Sequence, residues 1–132
     1  MAKRDLCVRP EPELRVVLDG AIAIGPFHAL LLEGIRDTGS IAAAQRRLGA
    51  SYARVWKLVA SMNTMFLPPL VDVARGGRSG GGARLTAAGH MVLASFRRLE
   101  RLVQESGRSE LLAITHATSH AGTARSPENQ DD

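Results

Sequence analysis

The stretch GSIAAAQRRLGASYARVWKLVASMN, residues 39–63, reads as two short helices joined by a tight turn. Gly39 suits the left-handed conformation that ends a helix, and Ser40 suits the cap of the next, because a serine oxygen accepts from an N–H that has no partner inside the helix. Ile41, Ala44 and Leu48 give that next helix one apolar face, which turns Arg46 and Arg47 away from the core. Gly49 stops it after about two turns. Ser51 caps a third helix beginning at Tyr52, and the intervening turn has the length a helix-turn-helix uses. Along the third helix Tyr52, Val55, Trp56, Val59, Met62 and Phe66 recur at helical spacing as the buried side, leaving Arg54, Lys57, Ser61 and Thr64 for solvent or a ligand.

On the C-terminal side, Pro68 and Pro69 forbid continuation of the helix, and Leu70–Ala74 alternates like a strand. The segment RGGRSGGGARLT, residues 75–86, follows as a glycine-rich hairpin with Ala83–Leu85 as its return strand. Thr86 caps a long last helix expected to reach about Leu112. On the N-terminal side, Pro26 suits the first position of a helix running to about Asp37, with Phe27, Leu30, Leu31 and Ile35 on its core stripe. Before it, Leu14–Leu18 and Ala21–Ile24 flank Asp19-Gly20, a strong hairpin signal because both turn positions favour positive φ. The expected fold is mainly α with small β-hairpins: a winged helix-turn-helix with a long C-terminal linker or dimerisation helix. Residues 1–12 are expected to form a flexible arm, 13–112 the folded domain, and 113–132 a disordered tail.

A chain of 132 residues has room for one domain of ordinary size. Its aromatic fraction of 4% leaves the core to Leu, Val, Ile and Ala. The net charge of +4 is unevenly spread, with +1 in residues 1–12, −2 in 113–132 and +5 between them. From Ser40 to Arg84 seven basic residues face one acidic residue, which points to a polyanionic partner. Cys7 is the only cysteine, so no intrachain disulfide is possible and a reducing compartment, the cytoplasm, is expected. No apolar run approaches the roughly 18 residues of a membrane span, and MAKRDLCVRPEPE lacks the apolar core of a signal peptide.

The partner expected of this layout is double-stranded DNA. Base edges are read near the N-terminus of the recognition helix, which makes Ser51, Tyr52 and Arg54 the first-turn candidates. Arg54 can bond a guanine bidentately, and Lys57 can reach a base or a phosphate. The Tyr52 ring has a competing place on the apolar side, and Trp56 is assigned to packing. Arg46 and Arg47 suit phosphate contacts where the second helix crosses the backbone. Arg75, Arg78 and Arg84 supply the charge of the wing, with Arg78 aimed at phosphate or the minor groove, a solvated hairpin tip being the alternative. Five aromatic residues in all are poor material for stacking unpaired bases, so a duplex is favoured over a single strand. The glycine run lacks the Gly-Lys-Ser/Thr ending of a phosphate-binding P-loop.

No enzyme is expected: Cys7 has no catalytic signature around it, and His116 and His120, though spaced for a metal on a helix, have no third ligand nearby. In the last helix Leu85, Gly89, Val92, Phe96, Leu99, Val103 and Ser106 follow a 4-3 spacing that buries against another helix. That helix belongs either to its own domain or to a second copy. For a homodimer the interface residues are Val92, Phe96, Leu99 and Val103, with Arg97, Arg98 and Arg101 as surface or rim charges.

Gly39-Ser40-Ile41, Ser51-Tyr52 with Trp56, Met62-Asn63, the glycine wing, and Leu85-Thr86 followed by Gly89 together resemble the N-terminal domain of the ModE family of molybdate-responsive bacterial transcription regulators. The likeness extends over about residues 14–110 and is shared in part with LysR-type regulators. It implies a winged helix, a two-fold dimer through the long last helix, recognition by the helix that begins at Ser51, and a cytoplasmic regulator that represses by occupying its operator. In full-type members the oxyanion sensor is a separate C-terminal pair of small β-barrels, and this sequence stops where they would start. No cofactor is therefore expected, molybdate being suggested by the resemblance alone, and no residue is assigned to it. Members often have a basic residue where this chain has Ala53, with the charge here one position later at Arg54. The sequence also allows two other readings: a protein-interaction or heterodimer partner without its own sensor, and an oxyanion sensor at a dimer interface.

Overall fold

Asp19 and Gly20 adopt φ of 51° and 81°, the left-handed pair that a two-residue hairpin turn requires, and so close β1 (Val16–Leu18) on β2 (Ala21–Ile24). The computed structural model describes residues 11–74 and 82–117. After the ribbon come α1 (Pro26–Thr38), α2 (Ile41–Leu48), α3 (Tyr52–Met65), β3 (Val71–Val73), β4 (Ala83–Leu85), α4 (Ala87–Ser106) and α5 (Arg108–Ala117). Residues 13–99 make one compact unit, and those from Glu100 to Ala117 belong to another. This is the expected fold class: mostly helical, with two antiparallel hairpins.

Local chemistry sets the helix ends. Gly39 takes φ of 74° and its N–H donates to the Ile35 carbonyl, ending α1. The Ser40 hydroxyl accepts from the Ala43 N–H at 3.0 Å and starts α2, and Gly49, at φ of 69°, ends it. The Ser51 hydroxyl accepts from the Arg54 N–H at 3.1 Å and starts α3. Each cap satisfies backbone groups that the helix cannot pair internally. The apolar core is then assembled from Leu31, Leu32 and Ile35 of α1, Ala44 of α2, Val55, Val59 and Met62 of α3, the strand residues Val71 and Leu85, and Leu93 and Phe96 of α4. Helices α1 and α2 approach closely at Gly34, where a Cβ would lie 3.0 Å from that of Ala44.

One polar node ties α3, the wing strands and α4 together. The Asn63 side-chain oxygen accepts from the N–H groups of Leu70 and Val71, both at 3.0 Å, and its amide donates to the Val71 carbonyl at 2.9 Å. The Leu70 carbonyl accepts from the Thr86 N–H at 2.9 Å and from the Thr86 hydroxyl, which also donates to Pro69 at 2.6 Å. That hydroxyl in turn accepts from the Gly89 N–H at 3.0 Å, capping α4 as expected. β3 and β4 pair in the register Val71 with Leu85, Asp72 with Arg84 and Val73 with Ala83. Arg97 makes a two-point ion pair with Glu33, at 2.8 and 2.7 Å, which pins α4 to α1 and holds the Glu33 carboxyl below the usual carboxylate range. Arg97 is thus a cross-helix contact, not only a rim charge.

Several expectations need correction. In α1 the buried apolar side chains are Ala29, Leu31, Leu32 and Ile35, with His28 and Gly34 buried among them, whereas Leu30 is 46% exposed and Phe27 lies half-buried outside the core. The stripe is rotated because the tight approach at Gly34 brings that side of α1 onto α2. The expected single last helix breaks at Gly107 into α4 and α5, and the helix runs through Ala117, so residues 113–117 are not tail. The rest of the expected tail, residues 118–132, and most of the expected arm, residues 1–10, lie outside the described residues.

Gly89 is the tightest point of the node, since a Cβ there would come 2.2 Å from the Leu70 carbonyl oxygen. Gly89→Ala is therefore expected to cost about 2–3 kcal/mol of stability, whereas the same change at an exposed helix glycine would stabilise. Urea denaturation measures it. An unchanged midpoint would mean that α4 can leave Leu70 without penalty.

Candidate nucleic-acid interface

The first two turns of α3 are built to be presented. Val55, Val59 and Met62 face the core, which puts Ala53, Lys57, Ala60 and Thr64 on the opposite, exposed side. Ser51, Tyr52 and Arg54 are exposed as well. Tyr52, at 57% exposure, does not take the buried place that helical spacing allowed it. It sits on the flank, at the helix start, where its ring meets Trp56 edge-on at 6.1 Å. Trp56 is half-buried against the core, as assigned, although its buried indole N–H has no hydrogen-bond partner among the described residues. At this end of the helix the backbone N–H groups and the dipole favour an anion.

The remaining candidate cations are differently placed. Arg46 and Arg47 are exposed on the last turn of α2. Arg47 bonds Asp37 at 3.2 Å. Arg36, and secondarily Arg47, holds the Asp37 carboxyl below its usual range. Arg84 is exposed on β4 with Asp72 of β3 at 3.6 Å, as the cross-strand register dictates. Arg75 and Arg78 lie outside the described residues. Among the dimer candidates, Phe96 is 1% exposed and belongs to the core of its own domain. It cannot be a surface residue. Val92 is half-buried against that core, while Leu99 and Val103 are exposed.

A second cluster was not legible from spacing. The Arg54 guanidinium lies over the Phe27 ring, 4.1 Å from its centroid, joining the start of α3 to the start of α1. Beside them His28 Nδ1 accepts from the Gly25 N–H at 3.1 Å, an arrangement that needs an unprotonated nitrogen there. Burial first, then the positive charges of Arg54 and Arg15, push the His28 ring below its ordinary pKa. No local sequence pattern links residues so far apart.

Two grooves among the described residues pair their cations with carboxylates, a balance that does not suit an oxyanion such as molybdate. The groove between α1 and α2 is lined by Glu33, Arg36, Asp37 and Arg47, whose cations are already answered by carboxylates. The groove beside the wing, lined by Gly39, Gly82, Asp72 and Arg84, has the same balance. Among the described residues no helix is long and apolar enough to cross a membrane.

Comparisons with known proteins find helix-turn-helix regulators similar to this chain. A family of bacterial regulatory helix-turn-helix proteins, the lysR family, matches residues 28–90. The chain is 37% identical over 119 residues to the molybdenum-pterin-binding protein MopA of Rhodobacter capsulatus, which takes in 80% of this chain and 45% of that protein. It is 38% identical over 82 residues to the molybdenum transport protein ModE of Azotobacter vinelandii, covering 62% of this chain and 30% of the relative. With the DNA-binding transcriptional dual regulator ModE of Escherichia coli it shares 31% over 93 residues, 70% of this chain and 36% of the relative. The chain thus spans less than half the length of these relatives.

The His28 contact predicts a pH dependence of stability. Because folding lowers the His28 pKa, the unfolded chain takes up the proton first as pH falls. Stability is then complete above the ordinary histidine pKa of about 6.5 and declines below it. His28→Gln keeps an acceptor at the same position and should flatten the decline between about pH 7 and 5. Thermal melts across that range decide it; an undiminished slope in the variant would assign the effect elsewhere.

Proposed function

Because this chain carries a helix-turn-helix domain of the lysR type, related to the N-terminal part of the ModE regulators, we propose that it is a transcription regulator that binds double-stranded DNA in a sequence-specific manner. The observation that carries this reading is the capped start of α3, which presents Tyr52, Ala53, Arg54 and Lys57 together on an exposed surface. On this reading Arg54 and Tyr52 address base edges in a major groove, and Lys57 follows one turn later. Arg46 and Arg47 meet phosphates, Arg47 by exchanging Asp37 for one. Arg84, with Arg75 and Arg78, brings the wing against the backbone or minor groove. The protein acts as a homodimer that represses by occupying a two-fold operator, through Val103 and its exposed apolar neighbours on α4. The names of the relatives connect those proteins with molybdenum; the described residues of this chain correspond to the DNA-contacting part of such a regulator. Its chemistry is binding, with no reaction step.

Binding to a random duplex at two salt concentrations is the direct test. A steep salt slope is expected, Lys57→Ala should reduce it by about 1, and Arg54→Ala should cost about 1–3 kcal/mol on a duplex selected from a randomised library but little on random DNA. No binding at low salt would reject the reading outright. Sedimentation tests the assembly separately: Val103→Asp should give a monomer that still unfolds cooperatively, with a melting temperature that no longer depends on protein concentration, and a retained dimer would move the interface away from α4.

A further inference from the structure

We propose that Phe27 is a positioning residue for DNA reading, its ring holding the Arg54 guanidinium in the orientation that meets a base edge. The inference rests on the DNA-binding reading above and adds a residue of α1 to it. Phe27 is the second residue of α1, and Arg54 belongs to the first turn of α3. The ring is half-buried yet lies outside the apolar core, so its bulk is not explained by core packing. What it does contact is the guanidinium, at 4.1 Å.

The choice of a ring rather than a carboxylate as partner has a consequence. Arg15, Arg36, Arg47, Arg84 and Arg97 each sit against an acidic side chain. A carboxylate occupies the N–H donors of an arginine and cancels its charge, so a phosphate or a base must first displace it. An aromatic face instead engages the flat side of the guanidinium and leaves its donors available. Among the described residues Arg54 has no carboxylate within ion-pair distance and no acceptor for its side-chain N–H groups, so it keeps both its charge and its fork of donors. Restricting this long side chain before DNA arrives also removes part of the ordering cost from binding. His28, held neutral beside the pair, adds no opposing charge.

The test uses the full chain, a duplex enriched by that chain from a randomised library, and a random duplex of equal length. Phe27→Leu should weaken the selected duplex by about 3- to 10-fold and leave random DNA and the salt slope nearly unchanged. Phe27→Tyr, which keeps the ring, should restore binding. In an Arg54→Ala background, Phe27→Leu should have no further effect. If Phe27→Leu does not fold, as its melt would show, Phe27→Met repeats the comparison with similar volume. An unchanged ratio of selected to random binding in the ring-less variant, or an equal loss with and without Arg54, overturns the positioning role while the DNA reading stands. A ratio unchanged by Arg54→Ala itself overturns the role of Arg54 in recognition, and this proposal with it.

Discussion

The carbonyl and amide of Leu70 are where the structure is held in register. This residue is wholly buried, and every backbone group it carries into the interior must find a partner there. Its N–H is taken by Asn63 from α3, and its carbonyl by Thr86 at the start of α4. Gly89 lets the first turn of α4 come down on that carbonyl, which any side chain would prevent. Three elements therefore share the backbone groups of one buried residue. The wing strands can only leave the domain in a direction fixed relative to α3, since Asn63 also bonds Val71, the first residue of β3.

A second constraint acts at the other end of the paired wing strands. The backbone of Gly39, between α1 and α2, accepts from the Ala83 N–H at 3.0 Å, and a Cβ on Gly82 would lie 3.2 Å from the same oxygen. The return strand of the wing is thereby fastened to the turn that starts the helix-turn-helix. Together with the Leu70 node this braces β3 and β4 from both sides, so two very short strands persist without a larger sheet around them. Isolated hairpins are marginal in water, and these depend on the helices for their stability.

How far the sequence could be read follows from the range of each interaction. Asp19-Gly20, Ser40, Gly49 and Ser51 were legible because turns and caps are settled within a few residues, and each performs the expected role. Thr86 and Gly89 were recognisable as a motif, but the reason for them lies in a carbonyl some sixteen residues earlier. The apolar spacing of the last helix correctly indicated a stripe, yet spacing does not say what covers it. Phe96 and Leu93 face the domain's own core, and only the later Leu99 and Val103 remain outside. Tyr52 and Leu30 failed for a related reason, as both lie at the margin of a stripe, where a small rotation of the helix decides between core and solvent. Arg75 and Arg78 lie outside the described residues, so the tip of the wing rests on sequence alone.

The pairing of Arg54 with Phe27 also bears on what a shift of one position along a recognition helix means. Ala53 stands at the centre of the outward face, and Ala60 lies two turns beyond it with Lys57 between them. A small side chain there permits close approach of the helix backbone to a groove and can meet a thymine methyl, but it supplies no hydrogen bond. A cation one residue later is rotated about 100° around the helix, toward α1 rather than outward. Left free, it would sample many conformations off the axis of approach. Over the Phe27 ring it has one favoured position, at the flank of the same surface. On the proposed reading base edges are therefore met by the donor fork of Arg54 together with Tyr52 from the flanks of the helix start, with Lys57 one turn later on the outward face and the small Ala53 beside it permitting close approach.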